Sequence, residues 1–418
     1  MSDFEPNGTD HDSRWLKSIR LQRFKAAFQP PSIPLQRFTV IVGRNGSGKS
    51  TLLEALQWLD ASMRSDCHVA CERYHGVHDI INVRSQVETR FFEIDVEWED
   101  DEQSAAKYEA SWHYGVRVEE TETERGRYPF VAREYLYFGR PNTAGKKYLI
   151  ASARRQRRVF SRPAVNAKGK HVLFEDPVRL ALSRNLRLGE PRGERMFGVF
   201  ADFWNRAVFL RLSPNRLADL AHTERRWLAP LLDEEGHDLP ALLNELNQEQ
   251  RDRLVAEISG ILDDIVDVTV NREGESKERA YYALSERMPY RGRGGMGTFP
   301  IPSWMLSEGT RRVTAILALL EHAPPPSLLC IEEIENGLDP WTVLYVLKRL
   351  QSASTQGVQV IITTHSPWLL DHVEIGSILH VRRSDGETVY EKFSSEADVR
   401  KFASSVPPGT RFVNIAGR

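Results

Sequence analysis

The chain has 418 residues, three of them cysteine, and a formal net charge of −2. That length allows one large domain or two to three ordinary ones. The near-neutral charge excludes a global field that would draw the chain onto nucleic acid or a membrane, and three cysteines exclude a disulfide scaffold.

In chain order, the opening MSDFEPNGTDHDS is polar and acidic, unlike a signal peptide. No run of about 18 apolar residues is present to span a bilayer, so a soluble cytoplasmic protein with no membrane contact is expected. Residues 16–60 read as strand, turn, strand, glycine loop, helix, with LKSIRLQRF alternating as the first strand. Residues 88–150 read as all β. Within EIDVEWEDDE, Ile94, Val96 and Trp98 point one way, and Glu93, Asp95, Glu97 and Glu99 the other.

Residues 151–200 are basic and irregular. Residues 217–266 are expected to be helical, since Leu254, Ile258, Ile261 and Ile265 recur at helical spacing. DVTVNREGESKERAYYALSE suggests a hairpin, and PYRGRGGMGTFP a mobile loop or linker. From residue 304 onward helix, buried strand, helix and strand follow in α/β order. The expected architecture is an α/β core made of the two chain ends, with a long insertion between them.

Four stretches carry chemistry. Gly43-Arg44-Asn45-Gly46-Ser47-Gly48-Lys49-Ser50, followed by Thr51, fits G-x-x-x-x-G-K-[ST] between an apolar strand and a helix. Its glycines let backbone N–H groups curl round a phosphate. Lys49 brings a charge to the β/γ oxygens, Ser50 a hydroxyl to Mg²⁺, and the helix its positive end. Leu328–Ile331 reads as a short strand ending in Glu332 and Glu333, where open α/β sheets place ligands. Glu332 is placed to hold Mg²⁺ through water and Glu333 to polarise an attacking water. Ser307-Glu308-Gly309 opens a helix and offers Ser Oγ and Gly N–H to an anion. QVIITTHSPWLLD ends a β-rich run at His365, a donor for a γ-phosphate.

These motifs, in this order, resemble the ABC-type ATPases, and more closely the RecF/SMC-like branch that includes the overcoming-lysogenization-defect (OLD) family. Ile19–Phe28 looks like that branch's opening strand, and EEIENGLDP resembles its E-E-P-E-N-G-L-H-P element. The resemblance implies an α/β P-loop NTPase head that binds and hydrolyses ATP with Mg²⁺. It also implies a head-to-tail dimer in which two protomers sandwich two nucleotides. Gly43, Asn45, Gly46, Ser47, Gly48, Lys49, Ser50 and Thr51 would bind nucleotide, with Ser50 and Glu332 on the metal. Glu333 and His365 would be catalytic, Ser307 and Gly309 would contact the γ-phosphate of a partner protomer, and Asp339 would belong to the D-loop. Residues 14–150 then form the first part of the head with a β lobe, 151–300 an inserted basic and helical region, and 301–418 the rest of the head. The branch serves DNA repair and, with a nuclease or toxin effector, defence against phage.

The chain departs from the branch pattern in several places. Glu332 stands where Asp is more usual, Ile334 replaces a proline, and the signature reads S-E-G-T rather than S-G-G-Q. Gln86 is the candidate Q-loop glutamine. VPPGTRFVNIAGR, residues 406–418, offers no acidic metal cluster of the kind an OLD Toprim nuclease domain carries. Competing readings are a transporter's nucleotide-binding subunit, which the long insertion opposes, and a scaffold that binds ATP without turnover.

Two further stretches stay open. ASARRQRRVFSRPAVNAKGK, residues 151–170, has seven basic residues and no acid. It suits DNA or RNA phosphates, a solvated loop, or an acidic partner equally well. Cys67, Cys71, His75 and His78 can be drawn as a zinc site. Their spacing is not a standard one, however, and it would need a helix break after Cys71.

Overall fold

The computed structural model describes residues 14–85, 90–99, 111–123, 126–139, 146–153, 156–160, 171–174, 176–183, 200–222, 224–225, 229–273, 279–291, 294–403 and 405–416, with the strand residues from 137 to 174 as backbone. Strands β1 (Trp15–Gln22), β2 (Ile33–Pro34) and β3 (Phe38–Val42) lead through the glycine loop into α1 (Lys49–Arg64). The short helices α2 (Cys67–Glu72) and α3 (Val77–Ile80) follow. The chain then runs through β4 (Phe91–Glu99), β5 (Ser111–Thr123), β6 (Gly126–Gly139), β7 (Lys146–Ala153), β8 (Gln156–Phe160) and β9 (His171–Phe174). The next elements are β10 (Ala207–Leu210), α4 (Pro214–Ala218), β11 (Ala221–His222), α5 (Leu239–Glu245) and α6 (Gln248–Ser259). After them come β12 (Ile265–Glu273), β13 (Arg279–Pro289), β14 (Met296–Pro302), α7 (Glu308–Glu321) and β15 (Leu328–Ile331). The chain closes with α8 (Pro340–Thr355), β16 (Gln359–Thr364), α9 (Pro367–Leu370), β17 (Ile378–Ser384), β18 (Glu387–Lys392) and α10 (Pro408–Ala416).

The central sheet has the order β10-β15-β16-β3-β17-β18. Its first five strands are parallel, and β18 returns antiparallel to β17. Both faces are covered, so β3, β15 and β16 are buried along their whole length, as strands of a parallel sheet are. Ile41, Cys330, Ile361, Leu379 and Val381 face a core shared with α1 and the first β sheet. Val40, Val42, Leu329, Ile331, Val360 and Ile362 face a second core with α7 and α8. Helix α1 lies between the central sheet and an antiparallel sheet of order β2-β1-β4-β5-β6-β7-β8-β9. A third sheet pairs β13 with β12 on one edge, and with β11 and β14 on the other.

The α/β class holds, as does the alternation of β4, in which Ile94, Val96 and Trp98 are buried. Three expectations change. The central sheet takes β10 from inside residues 151–300, so it is built from three stretches of chain rather than the two ends. The helical stretch 217–266 breaks into α4, α5 and α6, with Ile265 opening β12. Half of the expected glycine-rich linker is β14, which pairs with β13 from Met296 to Pro302.

Candidate functional site

Parallel pairing sets the site. Val42 pairs with Thr364, and Ile331 with Ile362, so the carboxyl ends of β3, β16 and β15 lie side by side. Adjacent strands are about 4.8 Å apart, which puts the outer two roughly 10 Å from each other. The glycine loop leaves β3, His365 leaves β16, and Glu332 and Glu333 leave β15. Three motifs far apart in sequence therefore share one edge.

The loop is shaped for an anion. Gly46 and Gly48 have φ of 72° and 105°, values that favour glycine. A Cβ on Gly43 would stand 2.1 Å from the Val381 carbonyl oxygen, and one on Gly48 would stand 2.7 Å from the Thr388 side chain. Inside the cradle, Ser47 Oγ is buried without a protein partner. Lys49 Nζ donates to the carbonyls of Gly43 at 2.9 Å and Arg44 at 3.2 Å. Burial pushes its ammonium below the usual lysine range, against the pull of Glu333, Glu335 and Glu332. Ser50, the first residue after Lys49 on α1, is exposed, and Thr51 is buried. An orphaned hydroxyl, a buried cation and a helix N-terminus converging on a glycine cradle fit a nucleotide phosphate. Ser50 and Glu332 supply the oxygen donors that a hard cation such as Mg²⁺ takes.

The acid pair is divided in environment. Burial raises the Glu332 carboxyl above the usual range; Arg211, whose Nε lies 4.0 Å away, opposes that shift, and Glu54 and Glu333 add to it. Glu333 stays half exposed, with its Oε1 3.6 Å from His365 Nε2 and its Oε2 accepting from Asn336 Nδ2 at 2.6 Å. Its φ is 49°, a left-handed value for a residue with a Cβ. Its N–H donates to Thr363 Oγ1 at 2.8 Å, and the N–H of His365 donates to Glu335 Oε1 at 2.6 Å.

Ser307 and Gly309 line a separate cavity. Ser307 caps α7, accepting the Thr310 N–H at 3.1 Å. Gly309 lies so close to the 334–339 loop that a Cβ there would stand 2.8 Å from the Gly337 carbonyl oxygen. Asp339 caps α8 by accepting from Thr342 and Trp341, bonds that lower its carboxyl below the usual range. A cavity of about 390 Å³ lies between these two helix starts and Ile261–Leu262. A larger one, about 560 Å³, runs from Glu332, Glu333 and Asn336 to Arg211 and Arg312.

Sequence reasoning did not find Arg211, Thr363, Glu335, Asn336 or Tyr390. Tyr390 donates its hydroxyl to the Gly48 carbonyl at 3.0 Å and so buttresses the loop from β18. A signal existed for Asn336 and Glu335, which lie inside the quoted EEIENGLDP element. Gln86 lies outside the described residues. So do 154, 155 and 161–170 of the basic stretch, and the side chains of the rest of that stretch. The chain does break after α2, with His75 at φ 63°. Cys67 and Cys71 are nonetheless buried, and Trp58 Nε1 donates to Cys71 Sγ at 3.4 Å. Among the described residues no three His, Cys, Asp or Glu side chains stand together as a metal cluster of that kind. No helix among them is long and apolar enough to cross a membrane.

A parallel sheet with a glycine loop at the end of one strand, and paired acids two strands away, is the P-loop NTPase fold of an ABC/SMC-type head. A family model described as "AAA domain, putative AbiEii toxin, Type IV TA system" matches residues 38–371, and the chain belongs to that family. No curated protein sequence matches it. Among solved structures, the Smc head bound to the C-winged helix domain of ScpA superposes with a TM-score of 0.52 at 16% identity, covering 90% of this chain and 97% of that one. The Smc head domain with an extended coiled coil, bound to the C-terminal domain of ScpA derived from Pyrococcus furiosus, gives 0.52 at 14% identity, covering 90% and 96%. At these identities the likeness is one of fold.

Proposed function

We propose that the chain is an ATP-hydrolysing molecular switch of the RecF/OLD-like kind, working as a head-to-tail dimer with a separate effector. The observation that carries this reading is the register of β3, β16 and β15, which gathers loop, histidine and acids, while Ser307 and Gly309 line a separate cavity. Lys49 and the loop N–H groups hold the triphosphate, and Ser50 and Glu332 hold Mg²⁺, whose charge neutralises the transferring phosphoryl group when it is bound. Glu333 accepts a proton from the attacking water, and His365 orients the carboxylate and meets the γ-phosphate. Ser307 and Gly309 complete the site of the other protomer, so neither site is whole in one chain. Opening of the sandwich after hydrolysis moves the β lobe and the inserted region, which report nucleotide state to the partner. The domain roles follow: residues 14–150 and 301–418, joined by β10 and Arg211 from the 151–300 region, work the nucleotide, and the rest of 151–300 carries contacts to the effector or nucleic acid.

DNA repair and anti-phage defence are the settings this reading suggests, with cytoplasmic location. The test is Mg·ATP turnover by the purified chain beside Glu333→Gln. A measurable parent rate that falls by about a thousandfold in the variant supports the reading. Equal rates remove Glu333 from the chemistry. A parent that binds ATP without turnover makes the chain a scaffold instead.

A further inference from the structure

Strand β16 is buried throughout and built from Gln359, Val360, Ile361, Ile362, Thr363 and Thr364. Thr363 is 2% exposed, and a valine would fill almost the same volume at that place in the core. What the hydroxyl adds is an acceptor. Thr363 Oγ1 takes the N–H of Glu333 at 2.8 Å, and the Thr363 carbonyl takes the N–H of Ile334 at 3.2 Å. The N–H of Glu332 goes the other way, to the Leu210 carbonyl on β10 at 2.8 Å. The backbone therefore changes neighbour between the two acids, and on the β16 side a single residue receives both peptides that follow.

That residue meets the chain where its conformation is least favourable. Glu333 has φ 49°, which a side chain with a Cβ adopts when its surroundings hold it there. The same backbone setting directs its carboxylate to His365 Nε2 at 3.6 Å and Asn336 Nδ2 at 2.6 Å. Without the hydroxyl, the Glu333 N–H loses its partner beside a buried strand and the left-handed setting loses its tether.

We propose that Thr363 is the positioning residue for Glu333: its hydroxyl fixes the left-handed peptide that aims the carboxylate, so it acts on turnover through Glu333 and not on nucleotide binding. This rests on the reading of Glu333 as the water-activating carboxylate.

The experiment measures Mg·ATP turnover, calorimetric ATP affinity and thermal midpoint for the parent, Thr363→Val, Thr363→Ser and Glu333→Gln. Turnover in Thr363→Val should fall about tenfold to a hundredfold with affinity changed less than about twofold, since a small misplacement of a reacting group costs rate and not binding. Thr363→Ser should restore most of the loss. A purely structural threonine would give a lower midpoint with turnover per folded molecule unchanged, and that result, or failure of serine to rescue, overturns the inference. A parent without turnover, or a Glu333→Gln variant as fast as the parent, defeats the functional reading instead. The tether is then decided by stability alone. Thr363→Val should lower the midpoint clearly with Glu at 333, and less in a Glu333→Gly chain, because glycine holds φ 49° unaided. Equal losses in both backgrounds overturn it.

Discussion

Lys49 is 8% exposed, and its ammonium is held by the carbonyls of Gly43 and Arg44. Burial lowers its pKa while three glutamates pull the other way, so the charge is costly to keep without a ligand and ready to exchange two neutral carbonyls for phosphate oxygens. Lys49→Ala should therefore weaken Mg·ATP binding by at least about a hundredfold, as loss of charge-assisted hydrogen bonds does, and leave the nucleotide-free fold intact. Calorimetric titration checks the first part and the thermal midpoint the second; unchanged affinity would remove the loop from nucleotide binding. The loop residues were legible in the sequence because their spacing is a purely local constraint. Thr363 was not, because its meaning lies in an amide 30 positions away, brought beside it by parallel pairing.

At the scale of elements, α1 does more than present the loop. At its far end Asp60 and Arg64 pair at 2.9 Å, and Arg64 Nη2 reaches the carbonyls of Trp204 at 2.7 Å and Ala207 at 3.2 Å. The helix that starts at the phosphate cradle thus pins the entry to β10, whose other end delivers Arg211 to Glu332. Arg64→Met should leave Asp60 buried without its partner and cost about 3–5 kcal/mol in denaturant unfolding. Burial holds the Asp60 carboxyl up to about 6, with Arg64 opposing. Because the folded value lies above the unfolded one, the linked stability is complete below roughly pH 4 and is lost as pH climbs through about 6. Asp60→Asn should flatten the thermal-stability profile across that window; a profile as steep as the parent's would contradict the assignment. β10 itself escaped sequence reading, since four apolar residues carry no sign of a parallel partner more than 100 positions away. The overlong helix had the opposite cause. Ile261 and Ile265 keep a helical period, but the chain leaves α6 at Gly260 and turns through Asp264 at φ 70°. Both isoleucines meet the same core, Ile261 from the turn after α6 and Ile265 from β12.

At the scale of the molecule, the chain brings glycine loop, acids and histidine to one edge, and Ser307 and Gly309 line a separate cavity against the 334–339 loop. If the basic stretch touches duplex DNA, replacing Arg154, Arg155, Arg157 and Arg158 together should weaken binding and lower the slope of log K against log salt by about 0.9 for each phosphate no longer neutralised. Absence of low-salt DNA affinity in the parent, with and without ATP, would remove nucleic acid as a partner. Whether two chains complete each other's sites is decided by size-exclusion chromatography with light scattering. Glu333→Gln is run with and without Mg·ATP, beside a Glu333→Gln/Ser307→Arg double variant. ATP should shift the single variant to a larger species, or tighten an existing dimer, because the γ-phosphate bridge persists uncut. The double variant should stay unmoved while binding the same nucleotide. An assembly indifferent to both ATP and the Ser307 change would contradict the shared site and leave an ATP-binding α/β domain that works alone.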